Sequence, residues 1–166
     1  MKPSLDPNRQ FVIGIKTDAG FSGRRVVQID TLTEAAQCIA LLAITPQSQA
    51  TLYSKHDLPA ISQLVSQQLR IPLDQVTLVR DYANCHSSTA CTQAILALSA
   101  TTRAMLINAA ANRWNICPTH CKMESGKVIQ KEKSFDFELG ELITEAKQGD
   151  IPLIPELYLQ HRQPKP

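Results

Sequence analysis

One run, Ala90 to Trp114 (ACTQAILALSATTRAMLINAAANRW), constrains this chain more than any other stretch. Neither Gly nor Pro interrupts it, and Ile95, Leu98, Thr102, Met105, Leu106, Ala109 and Ala110 recur at helical spacing as one stripe. The spacing predicts a single long buried helix. It is softened only at Thr101 and Thr102, whose β-branched side chains lose rotamer freedom in a helix. Cysteine-bearing loops lie on both flanks, so a functional site is expected at the ends of the helix.

Composition sets the outer bounds. A chain of 166 residues suits one domain, burying about 70% of the surface its unfolded form exposes. The formal net charge of +2, with 43% hydrophobic and 19% charged residues, is ordinary for a globular protein. The basic residues form no stripe and no aromatic platform accompanies them, which argues against nucleic acid as a partner. No stretch reaches the roughly 20 consecutive apolar residues that span a bilayer, and MKPSLDPNRQ lacks the apolar core of a signal peptide. A cytoplasmic protein without a membrane partner is expected. Its five cysteines then read as reduced thiols or ligands rather than as a disulfide framework.

The remaining segments supply layers for the helix. Residues 1–10 read as an extended arm. Phe11 to Lys16 has strand composition, Thr17 to Gly23 turn composition, and Arg24 to Asp30 completes a hairpin. Thr31 to Ala43 reads as a helix capped by Thr33, with a strand from Cys38 to Ile44 as the alternative that periodicity leaves open. Pro46 to Ser48 is a turn before a strand over Gln49 to Ser54. Leu58 to Arg70 is an amphipathic helix with Pro59 in its first turn, and Val76 to Arg80 a strand. Asp81 to Thr89 is a polar loop, with Ser88 or Thr89 capping the long helix. Beyond Trp114, Cys121 to Glu124 and Lys127 to Gln130 pair across Ser125-Gly126, with Ser134 to Phe137 extending the hairpin. Leu139 to Gln148 closes as a helix with Gly149 as its C-cap glycine, and the proline-rich tail 151–166 follows. The fold class is α+β with α/β-like layers: one domain over 11–150, in which a small mixed sheet packs against the long helix and a second amphipathic one.

Few residues carry chemistry by spacing alone. Cys85, His86 and Cys91 precede or open the long helix, and Cys117, His120 and Cys121 follow it; thiolates and imidazoles suit zinc or an iron–sulfur cluster. Neither group has a two-residue gap between cysteines. A straight helix of about 25 residues also separates the groups by nearly 40 Å, so one metal joins them only if the helix folds back. Asp136, Glu138, Glu141 and Glu145 read as a solvated face. Ser87 and Ser88 beside His86 lack an orienting acid and read as capping residues. No glycine-rich phosphate loop is present.

The wording of the sequence adds a resemblance. The run TTRAMLINAAANRWNICPTHCKMESGKVI, followed by FDFELGELITEA and IPLIPE, resembles the molybdopterin-binding large subunit of the xanthine dehydrogenase and aldehyde oxidase family, in the isoquinoline 1-oxidoreductase beta-subunit branch. That branch has an Ala-Arg-Ala-Met-Leu helix, an Arg-Trp, a Cys before a hairpin, a Gly-x-Val turn and a Tyr-Gly-Glu-Leu helix start. The counterparts are Arg103 to Leu106, Arg113-Trp114, Cys121, Gly126 to Val128 and Leu139 to Leu142. TLYSKH (Thr51 to His56) and LPAISQLVSQQLRIPLDQVTLVRDYA extend the likeness over residues 46–156 in colinear order.

The resemblance implies a scaffold whose cofactor contacts have changed. Where the family has a Gly-Gln-Gly loop, His56-Asp57-Leu58 passes directly into a helix. Where it has Gly-Gly-Ser before the long helix stand Cys85, His86 and Ser87, whose side chains intrude on a close backbone approach; only Ser87 and Ser88 retain donors toward a cofactor. The family's catalytic glutamate belongs to a later region that this sequence does not contain. The expectation is a diverged or truncated binding or structural module, non-catalytic and without cofactor when alone, acting with other subunits of a molybdenum hydroxylase. An alternative is a partial oxidoreductase subunit whose molybdopterin site another chain completes. A further alternative is a Cys/His metal-binding protein.

Overall fold

A computed structural model describes residues 5–17, 24–54, 60–80, 92–133 and 135–151. Their architecture is α+β: a five-stranded mixed sheet, a three-stranded antiparallel sheet and four α-helices. The first sheet contains β1 (Phe11–Thr17), β2 (Arg24–Gln28), β3 (Ala40–Ile44), β4 (Ala50–Ser54) and β5 (Val76–Val79), in the spatial order β2-β1-β3-β4-β5. All its neighbours are antiparallel except β4 and β5, which run parallel because helix α2 (Ile61–Leu69) carries the chain back between them. The second sheet is a meander of β6 (Cys121–Glu124), β7 (Lys127–Gln130) and β8 (Asp136–Glu138).

The long helix, α3 (Thr92–Trp114), runs unbroken and lies between the two sheets, touching β1 and β3 on one side and β6 and β7 on another. Ile95, Leu98, Thr102, Met105, Leu106, Ala109 and Ala110 are all buried, as the spacing predicts. So are Ala100, Thr101 and Ala111 beside that stripe. A helix apolar all round needs cover on several sides, and α2, the two sheets and helix α4 (Ile143–Gln148) provide it. By length and composition Ala94–Trp114 could cross a membrane, yet 72% of that window is buried inside the protein. The two threonines do not bend the helix open: the Thr102 hydroxyl donates to the Leu98 carbonyl at 2.8 Å, which satisfies it without a neighbour.

Helix ends follow local chemistry. Helix α3 ends in a Schellman turn on Asn115 (φ 60°), where Ile116 N–H donates to Ala111 O at 2.9 Å and Asn115 N–H to Asn112 O at 3.2 Å. Helix α2 ends the same way on Arg70 (φ 55°), with Ile71 N–H on Ser66 O at 3.2 Å. The β6–β7 turn has Ser125 at φ 56° and Gly126 at φ 81°, the positive pair that a two-residue hairpin of native twist requires.

Three expectations need correction. Thr31 to Ala43 is not one helix: α1 (Leu32–Ala35) is a single turn capped by Thr31, not Thr33, with Glu34 N–H on Thr31 Oγ1 at 3.1 Å, and the strand alternative holds beyond it, with β3 starting at Ala40. The β3 backbone is claimed by two neighbours, so sheet pairing overrides helical spacing. Residues 5–10 are not an extended arm; Arg9 and Gln10 both donate to Asp6 O at 3.0 Å, and Lys147 Nζ donates to Pro7 O at 2.7 Å. Leu139 to Gln148 splits into a 3₁₀ turn (Leu139–Leu142) and α4. Gly149 is the C-cap of α4, as expected, but in extended conformation (φ −84°, ψ 160°), so its freedom to turn left-handed is unused.

Candidate functional site

Two places in this fold are candidates for a functional site. The first is set by topology. Strands β4 and β5 pair in parallel from Ala50↔Val76 to Tyr53↔Val79, so the chain leaves both at the same edge of the sheet. Ligands of open α/β sheets bind outside the carboxyl ends of parallel strands. The candidates Cys85, His86, Ser87, Ser88 and Cys91 fall between β5 and α3, and His56-Asp57-Leu58 after β4; all of them lie outside the described residues.

The fit of a pterin cofactor to that edge can be judged from glycine placement. No glycine occurs between Gly23 and Gly126. The described glycines lie elsewhere: Gly14 in β1, Gly126 in the β6–β7 turn, Gly140 in the 3₁₀ turn and Gly149 after α4. Along β4, α2, β5 and α3 there is thus no Cβ-free backbone for a cofactor to approach as closely as a glycine-rich loop permits. Tyr53, Ser54 and Val79, which end the two strands, are buried. The residues do not fit a molybdopterin held by glycine amides.

At the other end of α3, the candidate ligands diverge. Cys117 and His120 are exposed on a 3₁₀ turn (Pro118–His120), whereas Cys121 points inward from β6 and packs in the core with Met123 and Val128. Among the described residues no three His, Cys, Asp or Glu side chains gather as a metal site would need. The two thiols also differ electrostatically. The Thr119 hydroxyl, 3.2 Å from Cys117 Sγ, and then its backbone N–H hold the Cys117 thiol below its ordinary range. Burial, and then the nearby Cys117, push Cys121 up.

The acidic group Asp136, Glu138, Glu141 and Glu145 is only partly the solvated face expected. Glu138 and Glu141 form a reciprocal capping box on the 3₁₀ turn. Glu145 Oε2 accepts from Arg113 at 2.6 and 3.1 Å, and the Arg113 hydrogen bond lowers its pKa. The Arg113 guanidinium lies 4.5 Å from the Phe137 ring centroid, and Trp114 stacks on the same ring at 4.7 Å. This network ties α3, α4 and the small sheet together.

The second place is an open groove of about 900 Å³ where the end of α2, the middle of α3 and β6 meet. Arg70, Arg103 and Lys122 supply its positive charge, Asn108 and Thr119 its neutral polar groups. Arg103 is half-buried, and its Nη1 donates to the Gln68 carbonyl at 3.2 Å, latching α3 to α2. Burial, and then the neighbouring Arg70, lower its pKa. The sequence singles out Arg103, by its family likeness and as a packing residue of the long helix, but not Arg70, Asn108 or Lys122. The one signal available was an arginine directly after α2, where a glycine or asparagine usually takes the left-handed position.

No family model matches the sequence, and no curated protein matches it significantly. The fold is similar to part of quinoline 2-oxidoreductase from Pseudomonas putida 86, with a TM-score of 0.51 and 11% sequence identity, over 82% of this chain and 20% of that one. Weaker likenesses join it to the Cu,Mo-CO dehydrogenase (TM-score 0.46, 15% identity, 81% of this chain and 19% of that one). The reconstituted CO dehydrogenase from Oligotropha carboxidovorans is comparable (0.47, 15%, 81% and 19%). At these identities the first likeness is one of fold alone. The chain spans about a fifth of the length of these solved proteins.

Proposed function

We propose that this chain is a non-catalytic binding or structural module built on a segment of the molybdopterin-binding subunit fold, acting alongside other chains of a molybdenum hydroxylase. The observation that carries the reading is the lack of any glycine between Gly23 and Gly126, across the two stretches where the family resemblance requires glycine-rich cofactor loops. The fold match to a fifth of quinoline 2-oxidoreductase supports the ancestry, and the colinear likeness over residues 46–156 agrees with it. A fold does not fix an activity, so the chemistry of the site decides.

A second reading keeps an enzymatic role: a partner completes a split cofactor site at the shared edge of β4 and β5. The parallel pairing of those strands favours it. Metal and pterin analysis of the protein purified from its native host separates the two. The chain is expected to hold neither molybdenum nor pterin in stoichiometric amount, alone or in its complexes. Cofactor at high occupancy in the isolated chain overturns the proposal, and cofactor present only in a complex with another chain establishes the split site instead.

A further inference from the structure

We propose that the groove between the end of α2, α3 and β6 binds a small organic phosphate, with Arg70, Arg103 and Lys122 around the phosphoryl group and Ala104, Ile107 and Met123 beneath the organic part. The site stands apart from the cofactor question. Helix α2 carries the chain from the Ser54 end of the sheet back to the Val76 end, so its C-terminus and the groove lie away from the carboxyl ends of β4 and β5.

Charge is the first argument. Among the described residues no carboxylate pairs with Arg70 or Arg103, although Arg103 is half-buried. Among the described residues Glu124 is the sole carboxylate lining the groove, and it lies 3.0 Å from Lys122 Nζ. The four charged lining groups therefore leave two positive charges, which a phosphate monoester matches with its charge of about −1.5 to −2 near neutral pH. The burial and the Arg70 charge that lower the Arg103 pKa mark a guanidinium short of counter-charge.

Geometry is the second. The Arg103 bond to Gln68 O occupies one N–H and fixes the fork, leaving further donors for an oxyanion. Arg70 is held by its backbone: Gly126 N–H donates to its carbonyl at 3.0 Å, and its φ of 55° is a left-handed conformation that disfavours an L side chain. The groove is walled by three elements tied to one another, and its volume falls in the range of about 300–1,000 Å³ typical of small-molecule sites.

Calorimetric titration with inorganic phosphate and with glycerol 3-phosphate, against succinate at matched ionic strength, tests the assignment. Two variants are used: Arg70→Gly, which suits the left-handed backbone, and Lys122→Ala on an exposed strand position. Glycerol 3-phosphate is expected to bind more tightly than inorganic phosphate and succinate, and each variant to weaken it by about tenfold or more, with melting temperature in chloride unchanged or raised for Arg70→Gly. No binding of either phosphate, wild-type affinity retained in both variants, or succinate binding as tightly as the ester overturns the site. Lys122→Ala decides the matter should Arg70→Gly unfold.

Discussion

At the scale of single residues, two positions show how tightly the small C-terminal elements are placed. A Cβ on Gly140 would collide with the Pro46 carbonyl oxygen, and Gly140 N–H donates to Ser48 Oγ at 2.8 Å, so the β3–β4 turn and the 3₁₀ turn meet with no room for a side chain. Glu145 has a different role, and it is titratable. Arg113 holds its carboxyl below the ordinary value of about 4.3, so the folded state releases this proton more readily than the unfolded chain does. Its contribution is therefore complete above the unfolded value and is lost as pH falls through the folded one. Glu145→Gln is expected to lower stability by about 0.5–1 kcal/mol at neutral pH, the size of a well-formed but half-exposed pair. The difference should shrink below about pH 4 and vanish at lower pH. Urea unfolding of both proteins across pH measures this, and a gap that persists in acid would mean the contact acts through packing.

At the scale of elements, α3 carries the largest single share of the core. Leu98 is fully buried within it, and Leu98→Ala is expected to cost about 2–5 kcal/mol, because the surrounding layers close only partly over a lost side chain. Thr102→Val, one turn on, should change stability by less than about 1 kcal/mol. Its hydroxyl bonds a carbonyl within the same helix, so removing it strands no buried partner. Equal losses in the two variants, read from denaturant midpoints, would contradict this account of the helix. Legibility followed the same physics. The β6 and β7 boundaries could be read to the residue because a Ser-Gly turn and inward Cys121, Met123 and Val128 leave one register. The start of β3 could not, since Ala36, Ile39, Ala40 and Ala43 have helical spacing while the continuous apolar run from Cys38 to Ile44 suits a strand as well; Ala40 and Ala43 pair across two neighbours that no local window contains. The groove was illegible for a related reason. Arg70, Arg103 and Lys122 are ordinary residues on three elements, and only α3 packing against α2 and β6 joins them.

At the scale of the whole molecule, the question is whether two sheets joined through one helix unfold as one unit. The larger sheet uses α3 from one side and the small sheet from another, and the buried core runs without a break from Phe11 and Leu42 through Leu98 and Leu106 to Val128 and Leu142. Neither sheet can leave without exposing α3, so the layers should melt together. The chain carries its own probe for this: its one tryptophan, Trp114, stacks on Phe137 of β8 where α3 meets the small sheet. Trp fluorescence thus reports detachment of that sheet, while far-UV circular dichroism is dominated by α3 and the other helices. The two signals are expected to change at the same urea concentration with the same steepness. A fluorescence change at clearly lower urea would show that β6–β8 docks as a separate, weaker unit, and the groove it walls would then open before the fold does.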